Sequence, residues 1–194
     1  MRHLIIAAHP GRNSFNHSVV EAYTAALGER GHKVQVRDLY ALGFNPVLSA
    51  RDLTALSSGR FAKDVRAEQA LVAKSDVLTF VAPLWWSGFP AMLKGYIDRV
   101  FCAGFAYVVR RGDYRPGLSG KKGVIITTSG ATTGELRSGG TLRALRAIQE
   151  QGLVEFCGIE MLRHLYLSGI APGMSRSEGE RRLQTVRQFV RRTF

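Results

Sequence analysis

The chain has 194 residues, 45% of them hydrophobic, enough for one sizeable core without a second domain, so residues 1–194 are read as a single domain. Its formal net charge of +12 is spread over short groups (Arg110-Arg111, Lys121-Lys122, Arg181-Arg182, Arg191-Arg192) with no long basic tract or nucleic-acid motif, which argues for a solvated basic surface and against nucleic-acid binding. The N-terminal apolar run ends at His9, too short for a signal peptide or a membrane span, which predicts a cytoplasmic protein, and Cys102 and Cys157 lack the spacing of a zinc site or a disulfide framework.

Arg2 to Ala8 is apolar and suited to a strand. It opens into a loop, His9 to Ser14, followed by a helical pattern from Phe15 to Arg30 that Gly31 closes. Lys33 to Leu39 alternates as a short strand, Asn45-Pro46 marks a turn, and Asp52 to Lys63 is polar without a clear pattern. A helix from Asp64 to Lys74 leads to Val77–Ala82, a continuous apolar run of the kind buried on both faces of a parallel sheet. The rhythm then repeats: a loop from Pro83 to Ser87, a helix from Pro90 to Phe101, an irregular aromatic stretch to Gly120 and a strand from Gly123 to Thr128. A Gly/Ser/Thr loop from Ser129 to Gly140, a helix through Gln151, a strand from Leu162 to Ser168 and a terminal helix from Ser177 to Arg192 follow.

Alternating strands and helices imply a parallel sheet with right-handed crossovers and helices on both faces, an α/β three-layer sandwich. Five strands in this rhythm suggest the order 2-1-3-4-5 of the flavodoxin-like fold, whose ligands lie beyond the carboxyl ends of the strands, at the switch point between the first and third. The site is then built from three loops: His9 to Phe15, Pro83 to Gly88 and Thr127 to Gly134.

The first loop offers His9, Arg12, Ser14, Phe15 and Asn16 together with the free amides of a helix start, a set suited to phosphate or pyrophosphate. No carboxylate occurs before Glu21, which excludes a magnesium-binding receiver domain, and the absence of a cysteine in that loop excludes a small phosphatase. Asn13 or Ser14 also serves as the helix N-cap. The second loop, with Pro83, Leu84, Trp85, Trp86 and Ser87, places two tryptophans where they wall a flat heteroaromatic ring or simply complete the core. The third offers Thr127, Thr128, Ser129 and Gly130, whose hydroxyls and amides suit the polar edge of a flavin, although a plain glycine-rich turn has the same composition. There is no GxGxxG after a strand and no GxxxxGK[ST], and the five histidines show no metal-binding spacing, so no metal site is expected. A flavin fits the three loops together better than any other ligand.

The sequence resembles the NAD(P)H:quinone oxidoreductase, or DT-diaphorase-like, family of the flavodoxin-like superfamily. The resemblance covers most of the chain. It rests on His9-Pro10 with Ser14-Phe15-Asn16, Asp38-Leu39-Tyr40, Phe44-Asn45-Pro46, Ala67-Glu68-Gln69, Pro83-Leu84 with Trp86, Pro90-Ala91, Leu93-Lys94-Gly95, Arg99-Val100-Phe101, Phe105-Ala106-Tyr107 and Thr127-Thr128 with Gly130. It implies that His9, Phe15 and Asn16 hold the phosphate and ribityl side of the flavin, that Leu84 to Ser87 line the isoalloxazine, and that Thr127 to Gly130 bond its polar edge. It implies FAD as cofactor, with FMN as the alternative, and a homodimer whose partner brings Phe105, Ala106 and Tyr107 over the substrate.

The chain departs from the animal enzymes where their tyrosine and histidine follow the third loop, since Glu135 and Thr141 stand there instead; the loop amides with Arg137 are the expected source of compensating positive potential. The stretch Ser57 to Lys63 is also shorter, which removes adenine-side contacts. The implied activity is ping-pong hydride transfer from NAD(P)H through flavin N5 to a quinone-like acceptor. Two other readings stand beside it. One is an azo- or nitro-compound reductase on the same scaffold; the other is a flavin-binding electron carrier or ancillary subunit docking to an acidic partner.

Overall fold

The computed structural model describes the backbone of residues 1–194 and every side chain except that of Ser57. In chain order the strands are β1 (Arg2–Ala7), β2 (Lys33–Asp38), β3 (Val77–Pro83), β4 (Tyr107–Arg110), β5 (Asp113–Pro116), β6 (Lys122–Thr128) and β7 (Glu160–Leu167). Five of them form one parallel sheet in the order β2-β1-β3-β6-β7, while β4 and β5 pair separately and antiparallel. With that hairpin set aside, the order is the expected 2-1-3-4-5 of a flavodoxin-like α/β fold.

Strand alternation divides the sheet's apolar side chains between two cores. Ile5, Val81, Val124 and Ile126 face Val19, Tyr23 and Leu27 of α1 (Phe15–Glu29) and Val186 and Val190 of α7 (Arg176–Thr193). Leu4, Ile6, Leu78, Phe80 and Ile125 face Val72 of α3 (Lys63–Lys74) and Leu93, Tyr96 and Val100 of α4 (Ala91–Val100). All seven residues of β3 are buried, which explains its uninterrupted apolar run in the middle of the sheet.

Three segments differ from the sequence reading. The patternless stretch after Asn45-Pro46 contains α2 (Ala50–Ser58), started by a capping box between Ser49 and Asp52 and stopped by Gly59 at φ 66°. Within the short stretch Ser57 to Lys63, the Ser57 side chain lies outside the described residues. The irregular aromatic stretch contains the β4–β5 hairpin, turned by Arg111 (φ 53°) and Gly112 (φ 85°). In place of one helix through Gln151 there are α5 (Thr133–Ser138), α6 (Thr141–Leu145) and π-helical turns over Arg146–Glu155, with Gly140 at φ 73° separating α5 from α6. The wider turns show in Phe156 N–H donating to the Gln151 carbonyl at 3.0 Å, and the segment stops at Gly158 (φ 83°), where Gly158 N–H bonds to the Glu155 carbonyl and Ile159 N–H to that of Val154.

Arg99 fastens the loops on the α4 side. Its guanidinium donates to Asp64 at 2.6 Å, to the Asn45 carbonyl at 2.8 Å and to Asp52 at 3.2 Å, and its side chain is only 6% exposed. Burial pushes the Asp52 carboxyl upward, but the bonds from Arg99 and Ser49 outweigh it and hold the group at about 2; the same contest lowers Asp64. Alongside, Gly95 lies so close to the Asn45-Pro46 turn that a Cβ there would overlap the Pro46 carbonyl.

Replacing Arg99 with Met strands Asp52 without its partner and is expected to remove about 3 kcal/mol of stability in urea titration, the low end for a broken buried pair because Asp64 is partly solvated. Both carboxyls titrate lower when folded than unfolded, so their contribution is complete above roughly pH 4 and is lost as pH falls toward 2. The Arg99→Met protein should therefore show a flatter stability profile in that window. Gly95→Ala improves helix propensity yet should lower stability by about 2 kcal/mol, because α4 must shift away from the turn; an unchanged melting temperature would refute the close approach.

Candidate active site

The carboxyl ends of β1, β3 and β6 bring the three expected loops together around a recess of about 170 Å³. His9, Phe15 and Asn16 reach it from the first loop, Pro83, Leu84 and Trp85 from the second, and Thr128, Ser129 and Gly130 from the third. Ile170 completes the lining and was missed by sequence reasoning, although it follows β7, whose carboxyl end the fold rule places beside the same site.

Ser14 caps α1, its hydroxyl accepting from the His17 amide, and the first turn of the helix carries no acidic residue. The amides of Phe15 and Asn16 belong to the turn that a helix leaves unpaired, so this end presents donors and a positive dipole. His9 Nδ1 lies 3.0 Å from the Gly11 amide nitrogen and 3.3 Å from the Gly11 carbonyl, which orients the ring, while no hydrogen bond among the described residues engages Nε2. Ser14 Oγ lies 2.9 Å from His17 Nδ1, and His17 Nε2 lies 2.9 Å from Asp38, whose other oxygen accepts from the Tyr40 and Ala41 amides. The nearest carboxylate is thereby already engaged. Arg12 is exposed and outside the recess.

The second loop closes on itself. Trp85 and Gly88 exchange backbone hydrogen bonds of 3.0 and 2.9 Å around Trp86 (φ 50°) and Ser87 (φ 56°), both left-handed. Trp85 faces the His9 ring at 5.8 Å with a 58° tilt and forms the aromatic wall. Trp86 projects wholly into solvent, and neither it nor Ser87 lines the recess.

In the third loop, Thr128 Oγ1 and the Asn16 amide bond reciprocally at 3.0 and 3.3 Å, both buried. Thr127, its neighbour on the strand, points to the opposite sheet face. There its hydroxyl lies 3.1 Å from His164 Nε2, His164 Nδ1 lies 3.1 Å from Glu150, and the Tyr166 hydroxyl donates to the same carboxylate at 3.2 Å. Burial pushes His164 down to about 3, so the ring is neutral, donates to Glu150 and accepts from Thr127. Only the backbone of Thr127 is left to serve the recess.

None of the residues after this loop that were singled out for tuning lines the recess. Glu135 is exposed and spent as a helix cap, accepting from the Thr132 amide at 2.7 Å and the Thr132 hydroxyl at 2.9 Å. Arg137 is exposed, and Thr141 opens α6. Ala106 is core, while Phe105 and Tyr107, the latter opening β4, pack against that core, and none of the three lines its own chain's recess. Among the described residues no cluster could hold a metal ion, and no helix is long and apolar enough to cross a membrane.

The family described as having a flavodoxin-like fold matches residues 1–190. An uncharacterised NAD(P)H oxidoreductase of Haemophilus influenzae is 38% identical over 161 residues, covering 82% of this chain and 80% of that protein. NAD(P)H dehydrogenase [quinone] 1 of Rattus norvegicus is 35% identical over 211 residues, covering 95% and 77%. Among solved structures, the NAD(P)H:quinone oxidoreductase of Methanothermobacter marburgensis superposes with a TM-score of 0.88 at 33% identity, covering 98% of this chain and 96% of that one. Sequence, fold and the meeting of the three loops agree, and the chain belongs to the flavodoxin-like family that contains the NAD(P)H:quinone oxidoreductases.

Proposed function

We propose that residues 1–194 form one flavin-binding domain and that the protein is a cytoplasmic NAD(P)H:quinone oxidoreductase. The observation that carries this reading is the recess itself: first-turn amides without a nearby acid, an aromatic wall and a loop of hydroxyls and amides converge at the sheet's switch point. This donor set fits a flavin. The α1 amides with His9 suit its phosphate side, Trp85 and Leu84 its ring, and Thr128, Ser129 and Gly130 its polar edge. FAD is the cofactor proposed, with FMN as the alternative.

A bound flavin would supply the two-electron, ping-pong hydride chemistry between a nicotinamide and a quinone. The chain's residues bind and orient. Asn16 and Thr128 tie two loops together, and Leu84 and Ile170 give the recess an apolar lining. Association as a homodimer accounts for the exposed Val47, Leu48, Leu53 and Leu56 on and beside α2, an apolar surface otherwise left in water. The partner's Phe105–Tyr107 segment then closes over each recess.

Purified protein should carry or take up flavin, which chromatography of the released cofactor assigns as FAD or FMN. Anaerobic NADPH or NADH should bleach its absorbance, and a simple benzoquinone should restore it. Failure to bind either flavin would overturn the proposal; tight binding with no bleaching would favour an electron carrier. Asn16→Leu removes the partner of a buried hydroxyl and should weaken flavin binding at least tenfold, read by fluorescence titration, with about 1–3 kcal/mol lost in stability.

A further inference from the structure

The β4–β5 hairpin carries a concentration of charge that neither the fold nor the recess uses. Arg110, Arg111 and Arg115 line a surface hollow of about 630 Å³ together with Asp113. No ion pair or hydrogen bond engages any of these guanidiniums among the described residues. Three cations facing one hollow repel one another, and the single carboxylate there leaves an uncompensated positive balance.

Two further features set this cluster apart from a chance surface patch. Arg111 sits at φ 53°, the first central position of a two-residue turn where glycine, asparagine or aspartate is the unstrained choice. A long side chain held left-handed costs about 1 kcal/mol or more, and persists where the side chain itself is needed. The hairpin is also stiff at its base, where Tyr107 and Tyr114 pack on each other at 5.9 Å and on Phe156 at 5.3 and 5.9 Å. Guanidiniums gathered around one hollow and free of other partners match a phosphate monoester, whose oxygens accept paired N–H donors.

We propose that Arg110, Arg111 and Arg115 bind the 2′-phosphate of NADPH and make the protein prefer NADPH over NADH. The inference rests on the function and the homodimer proposed above, which supply the co-substrate and, through the Phe105–Tyr107 segment that runs into β4, bring one subunit's hairpin to its partner's recess. The chain has no GxGxxG loop to hold the dinucleotide. The amides and His9 of the first loop are committed to the flavin's own phosphate in that reading, so a second anionic ligand needs a second set of donors. The hairpin supplies it, with Asp113 available to accept from the adjacent ribose hydroxyl.

The test compares the flavin-loaded wild type with a variant carrying Arg110→Gln, Arg111→Gly and Arg115→Gln. Arg111→Gly suits the turn, and the Gln residues keep most of each side-chain stem, so the hairpin should persist. The wild type should use NADPH at least tenfold better than NADH in kcat/KM, through KM. That ratio should fall toward one in the variant, and toward one in the wild type as salt is raised. Independently of turnover, calorimetry should show wild-type protein binding 2′,5′-ADP at least tenfold more tightly than 5′-AMP, a difference absent from the variant. Equal use of the two nicotinamides, or a preference that survives in the variant, would overturn the arginine site while leaving the reductase intact. If neither nicotinamide is oxidised the reductase reading fails, and the 2′,5′-ADP comparison still decides whether the hairpin holds the phosphate.

Discussion

The site depends on the way the end of β6 is tied to its neighbours. Parallel strands stop at a common level, and their last backbone groups would face an emerging loop without partners. Here Thr128 meets that need in two directions: its carbonyl accepts from the Leu84 amide at 2.7 Å, and its hydroxyl bonds to Asn16. One residue on, the Ser129 amide donates to the Leu167 carbonyl at 3.1 Å. Every loop around the recess is thus bound to β6 directly or through one side chain. Because Asn16 lies in the first turn of α1, the same tie aims that helix's free amides into the recess.

That arrangement decides where negative charge is allowed. Asp38, closest to the first loop, has both oxygens occupied by His17 and two backbone amides. Glu135 is turned back onto Thr132, where the helix start holds its carboxyl below the ordinary range through bonds from the Thr132 amide and hydroxyl. Glu150 lies on the far side of the sheet with His164 and Tyr166. The carboxylates near the strand ends are therefore spent on local structure, and the recess is left with amide donors and a positive helix end.

Much of this was legible in the sequence, for definite reasons. Continuous apolar runs such as Val77–Ala82 identified buried parallel strands, and a parallel sheet with short βα loops has only one place for a site. What was missed lay where tertiary packing or backbone detail overrides pattern. Helix α2 buries only Ala55 among its described side chains and leaves its leucines in solvent, so its clearest signal was the Ser49/Asp52 capping box. The π-helical turns place Leu145, Gln149 and Val154 inward, spacings of four and five that a regular helix does not sustain. Sequence composition also grouped Thr127 with Thr128, although strand alternation puts neighbours on opposite faces and sends only Thr128 toward Asn16.

The turn at Trp86 and Ser87 carries backbone strain beside the recess. Two left-handed non-glycine residues cost about 1–3 kcal/mol each, and the strain is normally balanced by contacts the same residues make. Trp86 makes none that bury it: its side chain stands free of its own protein. A ring of that size in water also forgoes the most favourable burial any side chain offers. Within the chain the turn is held by the paired backbone hydrogen bonds between Trp85 and Gly88, at 3.0 and 2.9 Å. Leu53 and Leu56 of α2 likewise leave apolar surface in water, so exposed apolar groups stand both at the recess and on this helix.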